Sequence, residues 1–192
     1  MRKIYLIIFY LGFLFLTYCS SNGGGNHQSE TSNIDQLETR GKNNVDPSFQ
    51  KEWSAFITSY LTLKDSLVIS KKERVSEQAE ITLHTLYSIE IPNLQEPGTQ
   101  EWDSLNRALK KSLEEIMNGQ DLDAQRLAFA SLTQNLHHGI QSFGRGEQAL
   151  YYQFCPMALK NKGAYWISDQ KTIRNPYFGK KMLTCGEVKE TL

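Results

Sequence analysis

The sequence is short of cysteine and proline, with three and five of them in 192 residues. Three cysteines cannot frame a small disulfide-stapled scaffold, which packs several bridges into a short chain. Net charge is missing as well, because 21 basic residues balance 21 acidic ones. A protein that tracks phosphates needs a basic stripe, so the balance argues against a nucleic-acid partner. The chain has no GxGxxG, no P-loop, no HExxH and no nucleophile elbow. His84, His137 and His138 stand without a local catalytic signature beside them, and the chain reads as non-enzymatic. What is present is ordinary globular material, 40% hydrophobic and 22% charged, on a length that suits one domain with short appendages.

Long apolar runs are scarce too. The one run, Ile4 to Leu16, follows the basic start Met1-Arg2-Lys3. It falls short of the ~20 residues a membrane-spanning helix needs and has the layout of a secretory signal. It ends in Leu16-Thr17-Tyr18-Cys19, which resembles a bacterial lipoprotein box with Cys19 as the lipidated residue. The alternative is an uncleaved N-terminal anchor, and both place the rest of the chain in the cell envelope, facing the periplasm. Several acyl chains on one cysteine make a firm anchor where one chain binds only marginally. Residues 20–46 read as a flexible tether, polar to about Asn44 with Ile34 and Leu37 the large apolar exceptions there. His27 in that tether carries no expected role.

Residues 47–192 form the expected globular domain. Asp46-Pro47 marks a helix start, and Phe49, Trp53, Phe56, Ile57, Tyr60, Leu61 and Leu67 follow at helical spacing, with Lys64 as a polar exception. Ser70-Lys71-Lys72-Glu73 has the pattern of a capping box ahead of a second stripe, Val75 to Tyr87. Thr99 is a plausible cap for a third stripe, Trp102 to Met117. Asp121 caps a fourth, which carries Leu122, Leu127, Phe129, Leu132, Leu136 and Ile140. Amphipathic helices on short connections predict a mainly α fold, an antiparallel up-and-down four-helix bundle over about 47–143. From about 144 to 192 the texture turns irregular, a loop-rich cap with short strands at Tyr151–Phe154 and Ala164–Ile167.

The cap holds the chemistry. Cys155-Pro156-Met157 and Met182-Leu183-Thr184-Cys185 place two thiols and two thioethers in one irregular segment. Soft sulfur ligands select Cu(I) or Ag(I) over hard cations. The competing reading is a Cys155–Cys185 disulfide, closing a loop of about 30 residues and contributing roughly 3–4 kcal/mol. Residue chemistry alone leans to the disulfide, and a redox-labile pair would bind metal only when reduced. One imidazole of His137-His138 could complete a metal site, but adjacent residues on a helix point in different directions. Tyr152, Trp166, Tyr177 and Phe178 are the candidates to line and dry a pocket around the sulfurs.

The run Tyr151 to Ala158, with Gly163 to Ser168 and Ile173 to Gly186, resembles the domain of unknown function numbered 3347. Tyr60 to Val68 and Ala124 to Phe129 are similar to helical signatures of that family, so the resemblance runs from about Phe49 to the C-terminus. The family occurs in exported bacterial proteins, among them single-domain lipoproteins, and fused to periplasmic adaptor subunits of copper and silver efflux pumps. The resemblance implies a role in periplasmic metal handling without a catalytic reaction. It puts Cys155, Met157, Met182 and Cys185 at motif positions, which suits a metal site and a disulfide alike. The expected partners are a soft metal ion, an efflux adaptor or other envelope protein, and the membrane through the lipid on Cys19. The expected function is buffering of the ion or its transfer to efflux machinery, the alternative being a metal-free interaction module stapled by Cys155–Cys185.

Overall fold

The computed structural model describes residues 47–90 and 97–192. The expected signal peptide, the expected lipid on Cys19, the expected tether over 20–46 with His27, and the expected helix cap Asp46 lie outside the described residues. Among the described residues no helix is long and apolar enough to cross a membrane.

Pro47 is the first residue of α1 (Pro47–Ile69), where its missing N–H is harmless because the first amides of a helix lack an intrahelical acceptor. The helix buries Phe49, Trp53, Phe56, Ile57, Tyr60, Leu63 and Leu67, a face wide enough to meet several neighbours. It packs on α2 (Lys72–Tyr87), and α2 packs on α3 (Gly98–Met117), which packs on α4 (Leu122–Phe143). Helix α1 also touches α4. The chain is thus mainly helical, with four long helices sharing one core.

At one end of that core Phe49 meets Trp102 edge-on, with ring centres 5.0 Å apart at 81°, and Trp102 meets Phe143 at 5.7 Å and 87°. These are the edge-to-face arrangements that the ring quadrupole favours. Gly139 makes room for them. A Cβ there would stand 2.8 Å from the Leu105 side chain and 2.8 Å from the Trp53 ring.

Two capping expectations are corrected. Ser70 does not open α2 but closes α1, in a left-handed conformation at φ 61°. Its hydroxyl donates to the carbonyls of Leu67 and Val68 at 3.1 and 3.4 Å, satisfying helix-end acceptors that α1 leaves open. The N-cap of α2 is Lys71, without a side-chain cap bond. Thr99 lies inside the first turn of α3, one residue after Gly98 begins it. Asp121 caps α4 as expected, accepting from the Ala124 amide at 2.8 Å. Two residues of the expected apolar stripes face water instead. Leu127 is exposed, and so is Tyr87, whose ring lies under the Lys110 ammonium at 4.6 Å.

The C-terminal segment forms a three-stranded antiparallel sheet in the order β2-β1-β3. The expected strands are present as β1 (Tyr151–Cys155) and β2 (Ala164–Ser168), each one residue longer than its pattern. The third, β3 (Glu187–Thr191), is absent from the sequence reading, since Glu187, Lys189 and Glu190 leave Val188 as its large apolar residue. Tyr60 pins the sheet to the helices. Its buried hydroxyl accepts from the Ile167 amide on β2 at 3.1 Å and lies 2.7 Å from the Thr133 hydroxyl on α4.

Lys64, the polar exception in α1, is fully buried. Its ammonium sits 3.2 Å from Asp65 and 3.5 Å from Asp169, and 3.4 Å from the Ser168 hydroxyl at the end of β2. A buried cation has to be paired and hydrogen-bonded, and these two half-exposed carboxylates supply the countercharge.

Candidate functional site

The two cap cysteines come together. Cys155, last residue of β1, is fully buried, while Cys185 lies on the loop ahead of β3 and is partly exposed. Their sulfurs are 3.0 Å apart and both are thiols. Each side of the pair is held by the backbone. Cys155 is opposite Ala164 in the β1–β2 ladder. The Cys185 amide donates to the Met182 carbonyl at 3.1 Å, and its carbonyl accepts from the Asn175 side-chain amide at 2.6 Å.

Asn175 is the organiser of this corner and is fully buried. Its amide donates to the Leu183 carbonyl at 2.8 Å, and its own carbonyl accepts from the Gly179 amide at 3.0 Å. Its side-chain oxygen accepts from the amides of Tyr177 and Phe178 at 2.8 and 3.2 Å. Every polar group of the residue is used, as burial demands. The turn it builds is tied to α4 by Arg126, whose Nε donates to the Pro176 carbonyl at 3.0 Å while Nη2 donates to Ser70 at 2.9 Å. The sequence marks Asn175-Pro176 as a turn, and nothing in it distinguishes a clamp from an ordinary turn. Arg126 falls within the Ala124 to Phe129 signature, which marks a helix and gives no sign of the contact with Pro176.

Gly186 follows Cys185 with φ +142°, a conformation that side chains rarely adopt. A Cβ there would meet the Trp166 ring at 2.7 Å and the Phe154 carbonyl oxygen at 2.9 Å. Glycine is required here because backbone and indole approach so closely. On the other side of Cys155, the residues after Met157 run through a left-handed turn, with φ 50°, 59° and 64° at Leu159, Lys160 and Asn161. Side-chain-bearing residues strain in that region, and strain of this kind gathers at functional sites.

The thioethers differ in place. Met157 is exposed beside the buried Cys155, and Met182 is partly buried in the turn that accepts the Cys185 amide. The hydrogen bond with Cys155 raises the Cys185 thiol above its ordinary pKa, and burial adds to that. Protonated thiols share a proton comfortably, and thiolate formation needs an incoming cation or a higher pH.

The predicted aromatic residues are packed side chains, and they do not all line the sulfurs: Tyr152, three residues before Cys155 on β1, faces the other side of the sheet. Trp166 is fully buried and its ring meets Tyr177 at 6.1 Å. Tyr177 is buried, meets Phe129 on α4 at 6.0 Å, and donates its hydroxyl to the Tyr165 carbonyl at 2.6 Å. Phe178 is partly buried against the core. Tyr152 stacks between His137 at 4.1 Å and Tyr165 at 4.5 Å. Burial, with Tyr165 and Glu190 nearby, pushes its phenol up to about 12. A hollow along α2, lined by Lys71, Glu73, Arg74, Glu77, Gln78 and Ile81, involves none of these residues.

His137 and His138 each meet a carboxylate. His137 Nε2 lies 3.4 Å from Glu190 on β3, and His138 Nε2 lies 3.4 Å from Glu101 on α3. Among the described residues, no three or more His, Cys, Asp or Glu side chains gather as a metal cluster. The two thiols are the sulfur groups that the structure brings into contact.

Residues 56–148 match the family described as "Protein of unknown function (DUF3347)". The resemblance read from the sequence is therefore shown for the helices, including Tyr60 to Val68 and Ala124 to Phe129. The matched stretch is narrower than the expected span from Phe49 to the C-terminus, and it stops ahead of the Cys155 and Cys185 motifs. No curated protein and no solved structure matches the chain.

Proposed function

From a chain whose helices resemble the DUF3347 family, we propose an exported, lipid-anchored and non-catalytic module that binds Cu(I) or a similar soft ion in the periplasm. The observation that carries this reading is the 3.0 Å contact between the Cys155 and Cys185 sulfurs. Two convergent thiols suit a soft monovalent cation by charge and polarisability. A metal–sulfur bond is about 2.3 Å, the value for zinc thiolates, so an ion bound by both sulfurs holds them about 3.8–4.6 Å apart, and they must part by roughly 1–1.5 Å. Cys185 is the one to move, being on a loop while Cys155 is fixed in a strand. Met157 on the surface is the outer thioether that meets an arriving ion, and Met182 is the second. The imidazoles of His137 and His138 are left to their carboxylates.

On this reading the ion is buffered or handed to an efflux adaptor or other envelope protein, and the helices serve as an up-and-down antiparallel bundle that carries the cap. Successive helix packing from α1 to α4 supports that arrangement. Attachment through Cys19 is tested by following palmitate label into the membrane fraction, which Cys19→Ser abolishes.

The direct test is a Cu(I) competition titration against a coloured chelator, using the full chain carrying Cys19→Ser, reduced and anaerobic. One-to-one binding that Cys155→Ser and Cys185→Ser each remove is the expected result. Copper left entirely with a weak chelator overturns the reading. The same short contact favours a second reading, a metal-free interaction module stapled by a Cys155–Cys185 disulfide, because an S–S bond of about 2.05 Å is a small step away.

A further inference from the structure

We infer that Cys155 and Cys185 perform thiol–disulfide exchange with disulfide-bonded oxidants, Cys185 receiving the oxidant and Cys155 resolving it, so that oxidation switches the soft-ion site off. The switching half rests on the copper reading; the exchange half stands on geometry alone.

Three observations carry it. The sulfurs are 3.0 Å apart, so a bond of about 2.05 Å needs a movement of roughly 1 Å. The backbone on both sides is held without any help from sulfur. Cys155 is in register with Ala164, Phe154 with Glu187, and the Asn175 clamp fixes the Cys185 carbonyl. Making or breaking the bond therefore leaves the same fold, which a reversible switch requires and a folding staple does not. The third observation is asymmetry. Cys155 has no exposure, and Cys185 is partly open to solvent. An oxidant reaches Cys185 first.

The chemistry balances in two exchanges. The Cys185 thiol loses its proton and attacks one sulfur of the oxidant RSSR, forming a mixed disulfide and expelling RS⁻, which takes a proton. The Cys155 thiol loses its proton and attacks the Cys185 sulfur of that mixed disulfide, expelling the second RS⁻, which is protonated in turn. The protein dithiol is oxidised by two electrons and RSSR is reduced to two RSH. A disulfide sulfur has no thiolate to offer, so the oxidised pair gives up its metal. Linkage makes the effect mutual: an ion held by the thiolates protects them from oxidation.

The test uses oxidised glutathione as the probe and the full chain carrying Cys19→Ser. Excess oxidised glutathione is expected to give an intramolecular disulfide and reduction to restore both thiols. Adding Cys155→Ser is expected to trap a glutathione adduct at Cys185, while Cys185→Ser leaves Cys155 unmodified. A parent chain that keeps both thiols, or a Cys155 that takes glutathione as fast as Cys185, overturns the inference. Native-state alkylation of the unsubstituted pair guards against misfolded variants: Cys185 is expected to react about tenfold or more faster than Cys155, and equal rates overturn the assignment. Oxidised protein is expected to leave Cu(I) with the chelator that the reduced protein strips. Should reduced protein fail to bind Cu(I), the copper reading falls alone, because the thiol counts involve no metal.

Discussion

The side-chain amide of Asn175 donates to the carbonyl of Cys185 at 2.6 Å, and this bond sets the loop that carries the outer sulfur. The two are ten positions apart in sequence, and none of the clamp's hydrogen bonds uses a sulfur atom. Site geometry here is a property of backbone hydrogen bonding, and sulfur chemistry is laid on top of it.

Removing the clamp has a definite expected outcome. Asn175→Ala strips acceptors from the buried amide of Tyr177 and the part-buried amide of Phe178, and leaves the Cys185 carbonyl unserved. A fully buried orphan costs about 1–3 kcal/mol and the two part-buried ones less, because water reaches them, so a loss of roughly 2–5 kcal/mol is expected from urea unfolding. Asn175→Asp keeps the acceptor and loses the donor, and should fall between the two.

Gly186→Ala is expected to be more damaging than its size suggests. The new methyl would lie 2.9 Å from a backbone oxygen and 2.7 Å from the Trp166 ring, at a φ of +142°. Overpacking costs typically about 1–3 kcal/mol, and the strained φ adds to it. Thermal unfolding should show a clear drop in midpoint, whereas Gly146→Ala, opposite the movable Ser54 hydroxyl, should lose less.

Alkaline pH should unfold the protein through its tyrosines. Burial raises the phenols of Tyr60, Tyr177 and Tyr152 above their ordinary value, Tyr152 to about 12. In the unfolded chain these phenols ionise near pH ~10. Below that the raised pKa values contribute full stability, and above it the unfolded state sheds protons that the folded state retains, so stability falls as pH rises. Urea midpoints should be flat from pH 7 to about 9 and decline steeply beyond about 10. A flat profile to pH 11 contradicts the burial of these hydroxyls.

Copper affinity should rise with pH. The Cys185 thiol is held above its ordinary pKa, so an incoming ion must displace protons that the pair retains. Chelator competition at pH 6, 7 and 8 should show tighter binding at each step, about tenfold per unit for each proton released. A pH-independent affinity points to the thioethers Met157 and Met182 as the ligands.

Lys64 offers a stability test remote from the sulfurs. Lys64→Ala removes a fully buried stem and strands Asp65 and Asp169 beside the cavity. A loss of about 2–4 kcal/mol is expected from the cavity, against a smaller change for Lys64→Met, which refills the space and gives up only the pairing with two half-exposed carboxylates. Equal losses in the two variants would mean the ammonium itself holds α1 to β2.

The helices were legible because burial imposes its period on the sequence. Phe49, Trp53, Phe56 and Tyr60 announce α1 without any knowledge of its neighbours. Ends were less legible. Ser70 satisfies two competing rules, one for opening a helix and one for closing one, and tertiary contact with Arg126 decides in favour of the second. Strand β3 was invisible because Glu187, Lys189 and Glu190 gain strand character only from pairing with β1. The cysteine pair was legible as a pair, since two thiols in one short irregular segment have few roles. Asn175 was not, because a buried clamp and a surface turn share the letters Asn-Pro.

Strand β3 carries one more consequence. It lies at the rim of the sheet, with its outer backbone available to any passing strand. Glu187, Lys189, Glu190 and Thr191 are all exposed along it, and two of them are joined by an ion pair. Such a charged, mixed-sign border repels neighbouring strands and resists edge-to-edge stacking. Copies of one protein at high local concentration meet edge to edge constantly. The apolar poverty that hid β3 from the sequence is also what keeps those copies apart.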